Sequence, residues 1–112
     1  MCRDLITRFD GRVPDTRAAL MSLPGVGRKC ADIMLRFTFQ EPVVAVDTHV
    51  HRLSNRLGLA TGKTEAQTAT SLEARTPPAY RMDGHMLLVR QGKYVCRART
   101  PSCEACVLED LC

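Results

Sequence analysis

No stretch of this chain is long enough and apolar enough to cross a bilayer. Its longest uninterrupted aliphatic runs are Val43 to Val46 and Met86 to Val89, far short of the roughly 20 residues that a spanning helix needs, so no membrane partner is expected. Strand-like alternation never persists long enough to build a sheet. Internal repeats, low-complexity tracts and flexible linkers are also missing. The opening Met1-Cys2-Arg3-Asp4 has no leader character, which points away from secretion.

What is there is an ordinary globular mixture of 112 residues, 45% hydrophobic and 25% charged. A chain of this size buries only about two-thirds of its unfolded surface, so its core is modest and leans on a metal, a staple or a partner segment. Sixteen Lys and Arg against twelve Asp and Glu leave a net charge of +4. That excess permits a nucleic-acid partner without demanding one.

The remaining signal is helical, and the fold class is all-α. Cys2 to about Phe9 reads as a helix stopped at Gly11, and Asp15 stands where it can cap a short helix through Met21. Leu23-Pro24-Gly25-Val26-Gly27 interrupts it. A helix from Arg28 to about Phe39 follows, with Cys30, Ile33, Met34 and Phe37 as its apolar stripe and Lys29, Asp32 and Arg36 on another face. Asp47 is placed to cap a helix that turns Val50, Leu53 and Leu57 inward and ends at Gly58. Thr64 to Arg75 and about Tyr80 to Tyr94 complete the set, the Met86 to Val89 run predicting deep burial.

Three regions carry chemistry. The turn Leu23-Pro24-Gly25-Val26-Gly27-Arg28-Lys29 sets two glycines before a helix start, where backbone can approach a ligand closely and N–H groups are unpaired. That is an anion site suited to phosphate, with Arg28 adding charge; the plainer reading is a tight interhelical turn. Lys29 lies in the first turn of that helix, where the dipole disfavours a cation. Such an amine can attack an electrophilic sugar carbon and form a Schiff base, whereas a solvated lysine stays inert.

Asp47 supplies a partner. About eleven helical residues carry the chain roughly 16 Å outward, and the segment from Gln40 to Val46 can span about 23 Å back. Its carboxylate can then orient water or sugar, take a proton from the lysine and stabilise an oxocarbenium-like charge, besides capping its helix. His49 and His51 lack paired-ligand spacing and are assigned structural or surface roles, and Cys30 is placed in the core.

The third region is Cys96, Cys103, Cys106 and Cys112, crowded into the last seventeen residues. Four thiolates in one loop can close around zinc or the corners of an iron-sulfur cube. Only one pair has the short Cys-x2-Cys spacing that zinc sites usually repeat, which favours the cluster. Between the first two cysteines, Arg97 and Arg99 point two guanidinium groups outward, either into solvent or towards phosphate.

Taken in order, the Leu23 to Lys29 turn, Val46-Asp47-Thr48-His49-Val50, Gly92-Lys93-Tyr94-Val95-Cys96 and the cysteine spacing resemble the endonuclease III family of helix-hairpin-helix DNA glycosylases. The resemblance covers essentially the whole chain and is similar to the C-terminal half of that family. It implies a partial helix-hairpin-helix glycosylase fold ending in a four-cysteine cluster loop. Residues 1–46 would belong to the helical domain that carries the hairpin, 47–95 to the cluster-bearing domain and 96–112 to the loop. It also implies a DNA-repair glycosylase that removes oxidised pyrimidines and nicks the strand at the abasic site.

By the same resemblance Lys29 is the Schiff-base lysine and Asp47 the catalytic aspartate. Leu23, Gly25, Val26, Gly27 and Arg28 belong to the DNA-binding hairpin, joined by Arg97 and Arg99. Cys96, Cys103, Cys106 and Cys112 are the ligands of a 4Fe-4S cluster, zinc being the alternative. Expected partners are duplex DNA carrying a damaged base or abasic site and the missing N-terminal half, in the cytoplasm or wherever DNA is held. The sequence departs from the family's pattern at Cys30, where threonine is usual, at Gln91-Gly92-Lys93 in place of His-Gly-Arg, and after His85, where no tryptophan follows. The rival readings are a non-catalytic, metal-stabilised DNA-binding module and an inactive fragment.

Overall fold

The computed structural model describes all 112 residues and is entirely helical. Six α-helices follow one another: α1 (Cys2–Phe9), α2 (Arg17–Met21), α3 (Arg28–Phe37), α4 (Thr48–Leu57), α5 (Glu65–Arg75) and α6 (Pro78–Tyr94). Two short 3-10 turns, Cys103–Ala105 and Glu109–Leu111, shape the C-terminal loop.

Local chemistry explains most boundaries. Asp47 Oδ1 accepts from Val50 N at 2.8 Å and opens α4, and Thr64 Oγ1 accepts from Gln67 N to open α5. Gly58, at φ 70°, closes α4 in the left-handed conformation that side chains resist. At α2 the cap is Thr16, whose hydroxyl accepts from Ala19 N at 3.2 Å, and Asp15 is displaced from that role. Helix α6 starts at Pro78 rather than Tyr80, because proline at the first helical position loses no hydrogen bond. Helix α3 ends at Phe37, two residues before the expected limit.

Two small cores result. Leu20, Ala31 and Leu35 pack between α2 and α3, with Val26, Met34, Phe39 and Val43 half-buried against them. Val44, Val46, Val50, Ala60, Ala69 and Leu72 form the larger core among α4, α5 and the segment leading into α4, flanked by Leu88 and Val89 of α6. With only these cores the molecule is long, 53 × 29 × 21 Å. Its radius of gyration is 15.7 Å, against roughly 13 Å for a compact chain of this length.

Two burial expectations are corrected. Met86 and Leu87 are exposed at 49% and 62%, because four consecutive helical residues sweep around the whole helix while α6 has a neighbour mainly on its α4 side. There Gly92 is buried so close to α4 that a Cβ would sit 3.0 Å from the His49 carbonyl oxygen. On α3 the buried residues are Ala31, Asp32 and Leu35, leaving Cys30 and Phe37 exposed.

The inward turn of Asp32, 1% exposed, has an electrostatic cause. Arg17 Nε donates to its Oδ1 at 2.7 Å and Arg28 Nε to its Oδ2 at 3.3 Å. Both arginines continue to Glu73 of α5, at 2.9 and 3.0 Å. The hydrogen bond from Arg17 holds the Glu73 carboxyl below its ordinary range against an opposing effect of burial, with the charges of Arg17, Arg28 and Arg81 adding to the shift.

Truncating the shared carboxylate strands two half-buried guanidiniums, so Asp32→Ala should cost about 3 kcal/mol in urea unfolding. Because Glu73 has a lowered folded-state value, its stabilisation is present above the ordinary glutamate range and is lost as pH falls through the folded value. Thermal melts should therefore decline in acid, and Glu73→Gln should flatten part of that decline. Ser54 Oγ is buried without a partner, so Ser54→Ala should hold or raise stability, by up to about 1 kcal/mol.

Candidate functional site

The turn between α2 and α3 is built as its residue types require. Val26 N donates to Leu23 O at 3.2 Å across Pro24-Gly25, and Gly25 has φ +80°, the arrangement of a type II turn with proline second and glycine third. Leu23 is buried, Val26 is half-buried against the first core, and this turn uses their backbone groups. The N–H groups of Gly25, Gly27, Arg28, Lys29 and Cys30 find no acceptor within the chain. Gly27 is extended, caps α3 with no side chain and leaves open space where a Cβ would be. The result is a concave row of donors at the positive end of a helix, fit for an anion.

Arg28 does not join that row as expected. Its guanidinium is committed to Asp32, to Thr70 Oγ1 at 2.7 Å and to Glu73. It ties the hairpin to α5, and the reason is the acidic pair that its long side chain can reach. Lys29, by contrast, is exposed and has no hydrogen-bond or ion-pair partner in the chain.

A groove of about 260 Å³ opens beside the turn, walled by Gly27, Arg28, Lys29, Val46, Glu65, Ala66 and Ala69. It brings Lys29 to the residue that precedes Asp47. Asp47 itself is half-buried at the head of α4 and is not part of the wall. One of its oxygens is used by the cap, and the other takes no hydrogen bond from the chain.

At the other end of α4 the four C-terminal cysteines rim a single small cavity of about 50 Å³, with Leu53, Leu57, Val95, Pro101 and Leu108 as its apolar wall. None is in a disulfide. Cys106 Sγ accepts from Gln91 Nε2 at 3.2 Å and from Leu108 N at 3.4 Å, and Cys96 Sγ from Arg56 Nη1 at 3.3 Å. A single zinc ion would draw four sulfurs to about 2.3 Å from one point. Here no three His, Cys, Asp or Glu side chains stand so as to hold one ion. Sulfurs spread around an apolar-walled cavity and supplied with N–H donors suit a multi-iron cluster.

Comparison with known proteins agrees with this division. Residues 8–33 match the helix-hairpin-helix motif, and residues 96–112 match the iron-sulfur binding domain of endonuclease III. Endonuclease III of Haemophilus influenzae is 44% identical over 111 residues, which are 99% of this chain and 53% of the relative. The Escherichia coli K12 protein is 45% identical over the same shares. The chain is homologous to endonuclease III. It spans about half the length of the curated relatives it matches.

Its backbone also follows that of endonuclease III in a non-covalent DNA complex, with a TM-score of 0.89 at 38% identity over 99% of this chain and 52% of the other. A trapped covalent endonuclease III–DNA intermediate gives 0.90 at 38%, with shares of 99% and 53%. A thermostable thymine-DNA glycosylase gives 0.81 at 27%, with shares of 98% and 52%. The cofactor of the endonuclease III loop is a 4Fe-4S cluster, and the donor set here fits it. No helix is long and apolar enough to cross a membrane.

Several residues around the site escaped sequence reasoning. Arg52 donates to Gly92 O at 2.6 Å and to Cys96 O at 3.1 Å, fastening the end of α6 and the start of the loop to α4. Arg56 and Gln91 reach the cysteines themselves. Arg52 and Arg56 sit four apart on α4, a spacing that puts them on one face. That pairing was the available signal. His49 and His51 keep structural roles, with His51 Nδ1 2.7 Å from Thr68 Oγ1. Arg97 bonds Ser102 Oγ at 2.8 Å, and Arg99 lies exposed.

The two hairpin glycines differ in a measurable way. Gly25→Ala places a side chain at positive φ and should cost about 1–2 kcal/mol, whereas Gly27→Ala meets neither strain nor a clash and should cost less than Gly25→Ala in the same urea titration.

Proposed function

We propose that this chain provides the catalytic and cluster-bearing half of a DNA glycosylase with abasic-site lyase activity, acting on oxidised pyrimidines in the cytoplasm. The observation that carries the reading is a phosphate-ready hairpin whose unpaired lysine lines a groove reaching the residue before a capping aspartate. The endonuclease III relatives, two of them solved with DNA, support it.

In this reading the N–H row from Gly25 to Cys30 holds a backbone phosphate, and Arg97 and Arg99 add a second basic contact near the cysteine loop. The damaged nucleotide leaves the stack, because its reacting carbon is shielded in duplex DNA. Lys29, freed of its proton, attacks the anomeric carbon of the sugar. The bond to the base breaks, the base leaves with its electron pair and gains a proton, and an imine to Lys29 forms. Loss of a proton from the neighbouring carbon then expels the 3′ phosphate and cuts the strand. Asp47 takes the lysine proton and stabilises positive charge on the sugar as the base departs.

Cys96, Cys103, Cys106 and Cys112 hold the 4Fe-4S cluster, whose part is to pin the loop carrying Arg97 and Arg99. The remaining half of the protein, a helical N-terminal part in the resemblance, supplies the opposite wall of the base pocket.

The test is borohydride trapping of the cluster-loaded chain on duplex DNA with one abasic site. The unsubstituted chain should form a covalent adduct that Lys29→Ala abolishes, and Gly27→Ala should weaken salt-sensitive DNA binding while leaving the helices folded. Binding without any adduct would support the non-catalytic module instead. An adduct that persists in Lys29→Ala removes Lys29 from the mechanism.

A further inference from the structure

Arg56 has no part in the chemistry above, yet it touches both ends of the cysteine loop. Its Nη1 lies 3.3 Å from Cys96 Sγ and 2.7 Å from Arg97 O, and its Nη2 lies 2.8 Å from Ala98 O. Its own carbonyl oxygen is 3.8 Å from Cys112 Sγ. Cys96 and Cys112 are the first and last of the four cysteines, so one residue of α4 meets the loop where it begins and where the fourth thiol closes the cavity.

The loop has little else to hold it. Neither 3-10 turn contains a buried residue, and residues 97 to 101 are all exposed. Arg52, the other arginine on that face, reaches the Cys96 carbonyl and the end of α6, with no contact to a sulfur. A guanidinium suits the position because its planar fork can serve two carbonyls and a sulfur together, which a lysine ammonium on a flexible stem cannot reproduce. It also lies in the last turn of α4, where the helix dipole favours a cation.

We propose that Arg56 is the positioning residue of the cluster, clasping the loop onto α4 and setting the electrostatic field at the Cys96 corner. The proposal rests on the assignment of the four cysteines to the cluster. A donated N–H and a positive charge beside a ligating sulfur favour the more electron-rich state of a cluster. Arg56 therefore raises the midpoint potential as well as slowing cluster loss, and a merely structural clasp would do only the second.

Cluster-loaded chains carrying Arg56→Met, Arg56→Lys and, as a charge-matched control, Arg90→Met test this. Arg90 is exposed on α6 and forms no ion pair. Two quantities are read: iron released to a chelator over time, and the midpoint potential by spectroelectrochemistry. Arg56→Met should release iron about tenfold faster, as expected for loss of an outer contact to a metal site, and its midpoint should move to more negative potential. Arg56→Lys should keep a midpoint near that of the unsubstituted chain but release iron faster, and Arg90→Met should match the unsubstituted chain in both. If Arg56→Met fails to fold, faster iron release from Arg56→Lys still supports the clasp, and unchanged release overturns it. Unchanged release and midpoint in both Arg56 variants of a chain that holds four irons overturn this inference alone. An unsubstituted chain that takes up no cluster overturns it together with the cysteine assignment.

Discussion

Helices α4 and α6 pack so closely at Gly92 that a single added methyl would press on the His49 carbonyl. That approach sets the height at which α6 ends and the cysteine loop begins. From there Arg52 spans to the carbonyls of Gly92 and Cys96, and Arg56, one turn further, reaches the loop itself. Asp47 opens the same helix at its other end. Ten residues of helix, about 15 Å, thus separate the aspartate from the cysteine-lined cavity and hold the two in a constant relation.

The hairpin is held by a different force. Only Leu20, Ala31 and Leu35 form the buried core beneath it, too little apolar surface to orient a helix start firmly. The carboxylates of Asp32 and Glu73 and the guanidiniums of Arg17 and Arg28 supply the remainder. Desolvating such groups is costly, and the network repays it through short, multiple hydrogen bonds rather than through simple attraction. Its by-product is selectivity among neighbouring cations. Arg28 is consumed internally, while Lys29, one residue on and turned about 100° around the helix, is left free at the groove.

How much of this was legible in advance depended on the range of the interaction. Helix starts at Asp47 and Thr64, the stop at Gly58 and the glycine-bearing turn were readable because each rests on a side chain and a backbone group within a few residues. The cysteine spacing was readable because four soft donors in a short loop leave few other uses. Asp15 gave way to Thr16 by one position, a choice between adjacent capping groups that pattern alone does not resolve.

What composition and spacing could not show is which side of each helix has a neighbour. Asp32 looked like a surface residue because Arg17, which donates to it, lies 15 positions before it, and Glu73, which shares both arginines with it, lies 41 after it. The Met86 to Val89 run looked buried because hydrophobicity alone says nothing about whether another element lies against it. Local chemistry along the chain determined the helices, the turn and the metal-binding loop. Only the tertiary arrangement decided that Arg28 serves the fold while Lys29 faces the groove, and that two arginines of α4 reach a loop some forty residues away, since both depend on distances that exist only after the helices have packed.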